Sequence, residues 1–283
     1  MIYCPYTDLD ILEERANIEH VIPLSLGGVD ALAILVDAAF NSQAGSKLDG
    51  ALANEFLFSL LRTESDARGH SGKKPYARIK QAHYGNDKRP AQANFHKKDG
   101  WSLYDVRKRE FKRGVSKFHI STQLNFDLPV RFTAKVALGA GYFTYGKLFR
   151  HCVDHRQLRD AMNIDPANLD PKISLDEQGL GHLTFQAESY LDEVSEESNP
   201  AHYFVRSFCS QANGSVVVLM PGRDFLAVAV GILGFFVGMI KVPAKTATFP
   251  NQENYFLGHV LEISGKNLKR YSWAEGLVQG IEG

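Results

Sequence analysis

The chain has 283 residues, 44% of them hydrophobic and 23% charged, a composition that excludes disorder and predicts a soluble globular protein of one to two domains. Lysine plus arginine equal aspartate plus glutamate at 32 each, so net charge alone indicates no acidic or basic partner. Three cysteines without a CxxC pair argue against a disulfide framework and a cysteine-built zinc site. With no secretory signal at the N-terminus and no apolar run longer than sixteen residues, we expect a cytoplasmic protein without a membrane segment.

The charges are unevenly distributed along the chain. Residues Asp66 to Gly114 hold fourteen lysines or arginines against five acidic residues, whereas Ile164 to Asn199 hold nine acidic residues against Lys172. A dense basic region attracts phosphates and an acidic one repels them. Two solvated surface loops would explain the same counts.

The N-terminal segment predicts the order strand, loop, strand, helix. Ile18 to Pro23 is apolar and β-type and ends in Pro23 and Gly27-Gly28, and Ala33 to Val36 predicts a second short strand. Beyond Asn41 the apolar residues recur at helical spacing, beginning with Leu48.

The basic region that follows predicts short strands joined by turns, over Tyr76 to His83, Ala91 to His96 and Trp101 to Val106. Basic and apolar residues alternate there, so one face can pack while the other contacts phosphate. Lysines that protect the edge of a hairpin would give the same alternation. The candidate nucleic-acid contacts in and beside these strands are Lys73, Lys74, Arg78, Lys80, Lys97 and Arg107.

The remainder predicts helices and then strands. One helix is expected from Pro129 to about Arg150 and another from Asp154 to Met162, with a break near Asp165 to Asp170. Asn213-Gly214 is a strong hairpin signal. The later strands are expected over Leu183 to Ala187, Tyr203 to Ser207, Ser215 to Leu219, Phe225 to Gly231 and Phe235 to Ile240.

We therefore expect an α+β fold in four parts. These are an N-terminal finger over residues 1–65, a basic strand-rich region over 66–125, central helices over 126–165 and a β-rich C-terminal subdomain over 166–283. The C-terminal part shows no recognisable catalytic constellation.

Glu19 and His20 suggest chemistry because a carboxylate beside a histidine in an apolar strand costs several kcal/mol unless it is paired or binds a metal. Adjacent strand residues point to opposite faces unless a bend or ligand draws both inward. Phosphodiester hydrolysis needs a base and a divalent cation. His20 can be the base, and Glu19 with Asn41 offers oxygen ligands for Mg²⁺.

At these residues the sequence resembles the HNH endonucleases. The matching motifs are Glu19-His20-Val21-Ile22-Pro23, Leu26-Gly27-Gly28 and the segment from Asn41 to Asp49, which reads NSQAGSKLD. The resemblance implies a ββα-metal finger with His20 as general base and Glu19 and Asn41 as ligands of Mg²⁺ or Mn²⁺. It also implies a DNA-cleaving enzyme, in phage defence or restriction by analogy.

The chain departs from the family pattern in its bracing residues. Many members carry two CxxC zinc pairs, but here Cys4 alone remains near an expected position and Phe40 stands where a cysteine commonly precedes the closing Asn. No structural zinc is expected, so packing must brace the finger. The middle Asn of the motif is missing, and Asp30 is a candidate replacement.

Several alternatives stay open at the level of sequence. Lys47 is either a phosphate contact or plain surface, and Asp49 either supports the helix or contacts a ligand. The finger could also survive as a non-catalytic nucleic-acid-binding or interaction scaffold, or act on RNA. The sequence is compatible with a monomer or a homo-oligomer.

Overall fold

The structure is a computed structural model with an α+β fold. It describes residues 1–112, 115, 117–122, 125, 127–164, 186–192, 195–197, 199–249, 258–273 and 275. The predicted break at residues 165–170 and most of the acidic segment lie outside the described residues.

Two short hairpins open the chain. Strand β1 (Ile2–Cys4) pairs with β2 (Leu9–Ile11), and β3 (Ala16–His20) pairs antiparallel with β4 (Ala33–Asp37). The predicted strand from Ile18 to Pro23 therefore begins earlier and ends at His20. Beyond it the chain turns, and the Val21 amide donates to the Leu32 carbonyl while Val21 enters the core.

The helical segment after β4 is interrupted, although its spacing predicts one helix beyond Asn41. It consists of α1 (Ala38–Ala44), a π-helical turn (Gly45–Asp49), α2 (Gly50–Asn54) and α3 (Phe56–Ser65). The helix begins before Asn41 because the Asp37 carboxylate accepts the backbone N–H groups of Ala39 and Phe40.

The basic region forms a five-stranded antiparallel sheet in the order β8-β7-β6-β5-β9. Its strands are β5 (Ala77–Tyr84), β6 (Arg89–His96), β7 (Gly100–Asp105), β8 (Glu110–Lys112) and β9 (Phe118–Ile120). The three strands expected from sequence are confirmed. One face packs Ile79, Ala93 and Leu103 beside Phe56 of α3, so this sheet has a small core of its own.

The central helices are α4 (Asp127–Tyr145), α5 (Lys147–Cys152) and α6 (His155–Met162). The expectation of one helix from Pro129 to Arg150 is wrong, because Gly146 adopts a φ of 54° and separates α4 from α5. The helix predicted from Asp154 to Met162 is confirmed as α6.

A six-stranded antiparallel sheet in the order β10-β13-β12-β11-β14-β15 completes the fold. Its strands are β10 (Gln186–Ser189), β11 (Ser215–Pro221), β12 (Phe225–Ile232), β13 (Phe235–Pro243), β14 (His259–Ser264) and β15 (Asn267–Ser272). The expected strands at β11, β12 and β13 are confirmed. Of the segment from Leu183 to Ala187, the first three residues lie outside the described part.

Two C-terminal predictions are wrong. The segment Tyr203 to Ser207 belongs to helix α7 (Pro200–Gln211), because the Asn199 side chain caps its first turn, Pro200 begins it, and Val205 and Cys209 form its buried stripe. Asn213-Gly214 consequently joins α7 to β11 and does not close a hairpin.

One main hydrophobic core joins the N-terminal finger, the central helices and the C-terminal sheet. Helix α4 lies at its centre, with Phe132, Val136 and Leu138 fully buried. At Gly139 an added Cβ would lie 2.8 Å from the Tyr6 hydroxyl oxygen, so a glycine lets the helix approach the finger closely. The finger is therefore held by the surrounding fold. None of the helices in the described residues is long and apolar enough to cross a membrane.

Gly28 provides a test of the close packing after β3. A Cβ at this position would lie 1.7 Å from the Ile22 carbonyl oxygen, so Gly28→Ala must displace the backbone of the loop. We expect a loss of about 3 kcal/mol or more in the free energy of unfolding, measured by urea denaturation. Gly69→Ala is the matched control, because its Cβ would meet Ser25 Cβ at 3.6 Å, an ordinary contact. Equal stability of the two variants would contradict this account.

Candidate active site

Strand β3 sends Glu19 and His20 to opposite faces of its hairpin, as side-chain alternation along a strand requires. Glu19 pairs in register with Ile34, which is buried, and His20 pairs with Ala33. Because no bend draws both side chains to one side, the acid and the histidine belong to two different clusters.

Glu19 belongs to a buried ionic cluster with Lys135 and Asp49, here called the Lys135 cluster. The Lys135 ammonium forms an ion pair with Glu19 and lies 2.7 Å from Asp49 Oδ2. The Lys135 side chain is 0% exposed, and both carboxylates are about nine-tenths buried. One charge thus connects β3, the π-helical turn and α4.

The pKa directions in the Lys135 cluster reflect burial and pairing. Burial by itself lowers the pKa of Lys135, but the Asp49 and Glu19 carboxylates outweigh it, so the pKa of the ammonium lies above its ordinary value. Burial raises the pKa of Asp49, and the nearby Lys135 offsets only part of that rise. Burial, followed by the negative charges of Glu19 and Asp49, raises the pKa of the Tyr6 hydroxyl well above its usual value.

His20 forms the second cluster, with Asp30 and His70. Its Nε2 atom lies 2.8 Å from Asp30 Oδ1, and the rings of His20 and His70 lie 5.4 Å apart. The His20 side chain is 11% exposed, whereas that of Asp30 is 93% exposed. A buried imidazole is therefore oriented by a carboxylate that reaches solvent. Asp30 is also the residue that the sequence suggests in place of the missing middle Asn.

Asn41 lies in α1 and contacts β3 directly. Its Nδ2 donates to Asn17 Oδ1 at 2.9 Å and to the Ile18 carbonyl oxygen at 3.2 Å. The structure thus brings Asn41 within two residues of Glu19 along β3, yet it directs the functional groups of Glu19, His20 and Asn41 to three different sets of partners.

These contacts do not fit a divalent cation held by Glu19 and Asn41. The carboxylate that would bind the metal is already neutralised by the Lys135 ammonium. The Asn41 Nδ2 group is occupied by Asn17 and the Ile18 carbonyl, so any metal contact by this residue would have to come from its Oδ1 atom. A metal at this position would need Lys135 to leave Glu19.

Packing contacts brace the finger at the position of Cys4 and Phe40. The Cys4 sulfur accepts a hydrogen bond from the Asp37 backbone N–H at 3.4 Å. The rings of Tyr6 and Phe40 stack with their centroids 5.0 Å apart. These two contacts join the β1–β2 hairpin to the end of β4 and the start of α1.

Part of the predicted phosphate-binding set converges near the His20 cluster. The hydrogen bond from Arg68, at 2.6 Å, lowers the pKa of the Asp66 carboxyl, and the more distant charges of Lys74 and Lys97 add to that effect. We call Arg68, Lys74 and Lys97 the basic cluster. It is connected to His20 through the short segment that carries His70.

The other predicted contacts are dispersed. Lys47 is exposed in the π-helical turn, Lys73 is exposed before β5, and Arg78 and Lys80 are exposed along that strand. Arg107 follows β7 at the opposite end of the sheet, near Asp87. Because the strands there are eight residues long, that end lies about 25 Å from Lys97. Arg107 is therefore separate from the basic cluster.

A cleft of about 1080 Å³ opens beside the His20 cluster. Asp30 lies on its wall together with Arg68, and the C-terminal sheet side contributes Gly214 and Lys266. A ligand in the cleft would meet the carboxylates of Asp30 and Asp66 and the cationic side chains of Arg68 and Lys266, of which Arg68 is paired with Asp66.

Sequence reasoning missed Lys135 and His70. The signal for Lys135 was a single charged residue within the apolar helical run from Phe132 to Gly141. A charge in such a run needs a buried partner. His70 carries no comparable local signal, since its approach to His20 depends on the path of the chain after α3.

Removal of the Lys135 charge provides a test of its role. In Lys135→Met two buried carboxylates lose their cation, so we expect a loss of about 3–5 kcal/mol in the free energy of unfolding at neutral pH. The carboxylates then hold protons more tightly in the folded than in the unfolded chain, and the variant loses stability as pH rises from 5 to 8. Urea denaturation at both pH values measures this effect. The exposed Lys147→Met in α5 is the control, and a pH-independent difference between the two variants would contradict the assignment.

Comparisons of the chain with models of known protein families, with curated proteins and with solved structures found no match. The resemblance to HNH endonucleases consequently rests on the quoted motifs. The roles of individual side chains rest on the geometry described above.

Proposed function

We propose that this chain is an HNH-type endonuclease that hydrolyses phosphodiester bonds of DNA, with His20 as general base, and that it serves in phage defence or restriction. The observation that carries the proposal is the His20–Asp30 pair. It combines a buried imidazole at the end of β3 with an orienting carboxylate in the loop before β4, within a unit of strand, loop, strand and helix.

The pair supports a simple division of roles. The ionised Asp30 carboxylate accepts the Nε2–H of His20, which leaves the lone pair on Nδ1 to take a proton from water. The resulting hydroxide attacks phosphorus, and the bond from phosphorus to the leaving oxygen breaks. Asp30 is a positioning residue, because it acts through the imidazole.

The surroundings of the pair supply positive charge for the nucleic-acid backbone. Arg68 and Lys74 of the basic cluster lie on the segment that follows α3, Lys97 lies in the turn after β6, and Arg68 lines the cleft beside Asp30. Cations at this position favour binding of phosphates. Lys73, Arg78 and Lys80 extend the same positive surface along β5.

The metal of the resemblance, Mg²⁺ or Mn²⁺, stays a prediction. Glu19 and Asn41 do not present a suitable pair of ligands while Lys135 binds Glu19. We therefore assign no step to a metal and leave its requirement to measurement.

The ion pair between Lys135 and Glu19 favours a second function. If the Lys135 ammonium permanently replaces the metal, the finger is a non-catalytic scaffold and the chain only binds nucleic acid. An RNA-directed nuclease is a further alternative, since contacts to a phosphate backbone carry little sequence information.

His20→Ala tests the nuclease. We expect cleavage of plasmid DNA to fall by about 10²–10⁴-fold, because the general base is lost. Asp30→Asn should lower kcat with little change in KM. Plasmid, single-stranded DNA and RNA are each incubated with Mg²⁺, with Mn²⁺ and with a chelator. His151→Ala, which changes an exposed histidine of α5, is the control.

The alternatives give different results in this assay. Cleavage by His20→Ala at the wild-type rate would refute the proposed base. Absence of cleavage of all three substrates by the wild type, together with retained binding, would establish the scaffold. Cleavage of RNA alone would identify the RNA-directed enzyme.

The basic cluster has its own test. Lys74→Ala with Lys97→Ala should weaken DNA binding and reduce the magnitude of the salt slope by about 2, because two phosphate contacts are removed. Arg107→Ala with Lys108→Ala, at the far end of the sheet, is the control and should have a smaller effect. Fluorescence anisotropy at several salt concentrations measures both. A larger effect of the control pair would place the interface at the other end.

A further inference from the structure

The five-stranded sheet has an open face that the small core beneath it does not use. Ile79, Ala93 and Leu103 pair across strands on the covered face, beside α3. Because side chains alternate, the residues between them point the other way. The residues of the open face are Tyr76, Arg78, His83, Gln92, Asn94, His96, Ser102, Tyr104, Phe111 and His119.

Two pairs of aromatic rings lie on the open face. Tyr76 and His96 stack with centroids 5.3 Å apart and nearly parallel rings, and Tyr104 and Phe111 lie 5.1 Å apart. Tyr76 is 43% exposed and Phe111 is 65% exposed. Exposed apolar groups rimmed by polar residues are a feature of interaction and ligand-binding sites.

Polar groups separate the two aromatic pairs. Arg78 lies over the Tyr76 ring, with its Cζ 5.1 Å from the centroid, and its Nε donates to Asn94 Oδ1. The strand register then places Asn94 beside Ser102 and Gln92 beside Tyr104. By this register the nearest rings of the two pairs, His96 and Tyr104, are about 14 Å apart, four residues along the strands and one strand across.

The charge of the open face has one sign. The acidic residues of the five strands are Asp105 and Glu110, and their pairing with Ala91 places both on the covered face. There Asp105 accepts a hydrogen bond from the Tyr84 hydroxyl. Within the described strands, the open face thus combines an arginine, histidines, amides and aromatic rings with no carboxylate. Such a surface complements an anionic ligand that has aromatic groups of its own.

We infer that the open face binds single-stranded nucleic acid, DNA or RNA, with unpaired bases stacked on its aromatic residues. The choice of nucleic acid as ligand rests on the proposed function. In a duplex the base faces are stacked against each other, so the rings of a sheet find nothing to stack on, whereas each base of a single strand offers a free face. Gln92 and Ser102 lie between the ring pairs, where they can hydrogen-bond base edges.

The open face also connects to the candidate active site. Tyr76 and His96 lie at the end of the sheet that carries Lys74 and Lys97 of the basic cluster. His70, whose ring lies beside that of His20, precedes Lys74 and Tyr76 by a few residues. A single strand bound along the sheet would therefore leave it at the basic cluster, toward His20.

Binding of labelled oligonucleotides tests the inference. All proteins carry His20→Ala to prevent cleavage, and fluorescence anisotropy measures Kd for single-stranded DNA, single-stranded RNA and duplex DNA of about 16 nucleotides. One protein carries Tyr104→Leu with Phe111→Leu, and a second carries Tyr76→Leu alone. Each substitution keeps an apolar side chain but removes the ring. We expect Kd for single strands to rise by about 5- to 150-fold for each base that loses its aromatic stacking partner. Kd for duplex DNA should change by less than about twofold. Tyr203→Leu, at an exposed tyrosine of α7, is the control.

The outcomes are decisive and separate this inference from the proposed function. Unchanged single-strand affinity in both leucine proteins, or an equal loss for duplex, overturns the inference. Circular dichroism verifies that each protein is folded, and the Tyr76 variant alters a residue outside the strands themselves. Loss of base stacking together with no His20-dependent cleavage by the wild type would retain the inference and remove the nuclease. The DNA and RNA arms identify which single strand is preferred.

Discussion

The buried ammonium of Lys135 is the constraint on which the N-terminal half depends. An unpaired charge buried in the core would cost more free energy than the whole fold gains. The ammonium of Lys135 is tolerated because the carboxylates of Glu19 and Asp49 both pair with it. Meeting that requirement fixes the register of β3 against α4 and the position of the π-helical turn. The ion pairs, the Tyr6–Phe40 stack and the Cys4–Asp37 hydrogen bond together brace a finger that lacks the zinc cysteines.

The same constraint divides β3 into a structural face and a face available for chemistry. Since Glu19 points inward to Lys135, His20 must point outward to Asp30 and His70. This arrangement keeps the imidazole of His20 in a fixed orientation, as a general base requires. It also buries the Glu19 carboxylate against Lys135, where it is not free to bind a metal. Only departure of Lys135 from Glu19 would free that carboxylate for a metal.

The basic sheet adds a surface that neither the finger nor the C-terminal sheet provides. It has its own small core and meets the finger through α3 and the segment after it. Its cations are concentrated at two ends about 25 Å apart. Only the end with Lys74 and Lys97 lies near the His20 cluster, and the aromatic strip of the open face leads to that end. The proposed binding face and the proposed active site thus lie at the same end of the sheet.

The amino-acid sequence by itself determined the α+β class, most strands of the two larger sheets and the candidates His20, Asn41 and Asp30, because these follow from local periodicity, turn residues and short motifs. It missed the helical state of Tyr203 to Ser207, where capping by Asn199 and burial of Cys209 outweigh strand propensity. Tertiary structure alone decided that Glu19 pairs with Lys135, 116 positions away in the chain, and that Arg107 lies apart from Lys97. The physical reason is that packing between distant segments decides which group pairs with a buried charge and at which end of a sheet a loop lies. Neither outcome leaves a signal in the local sequence.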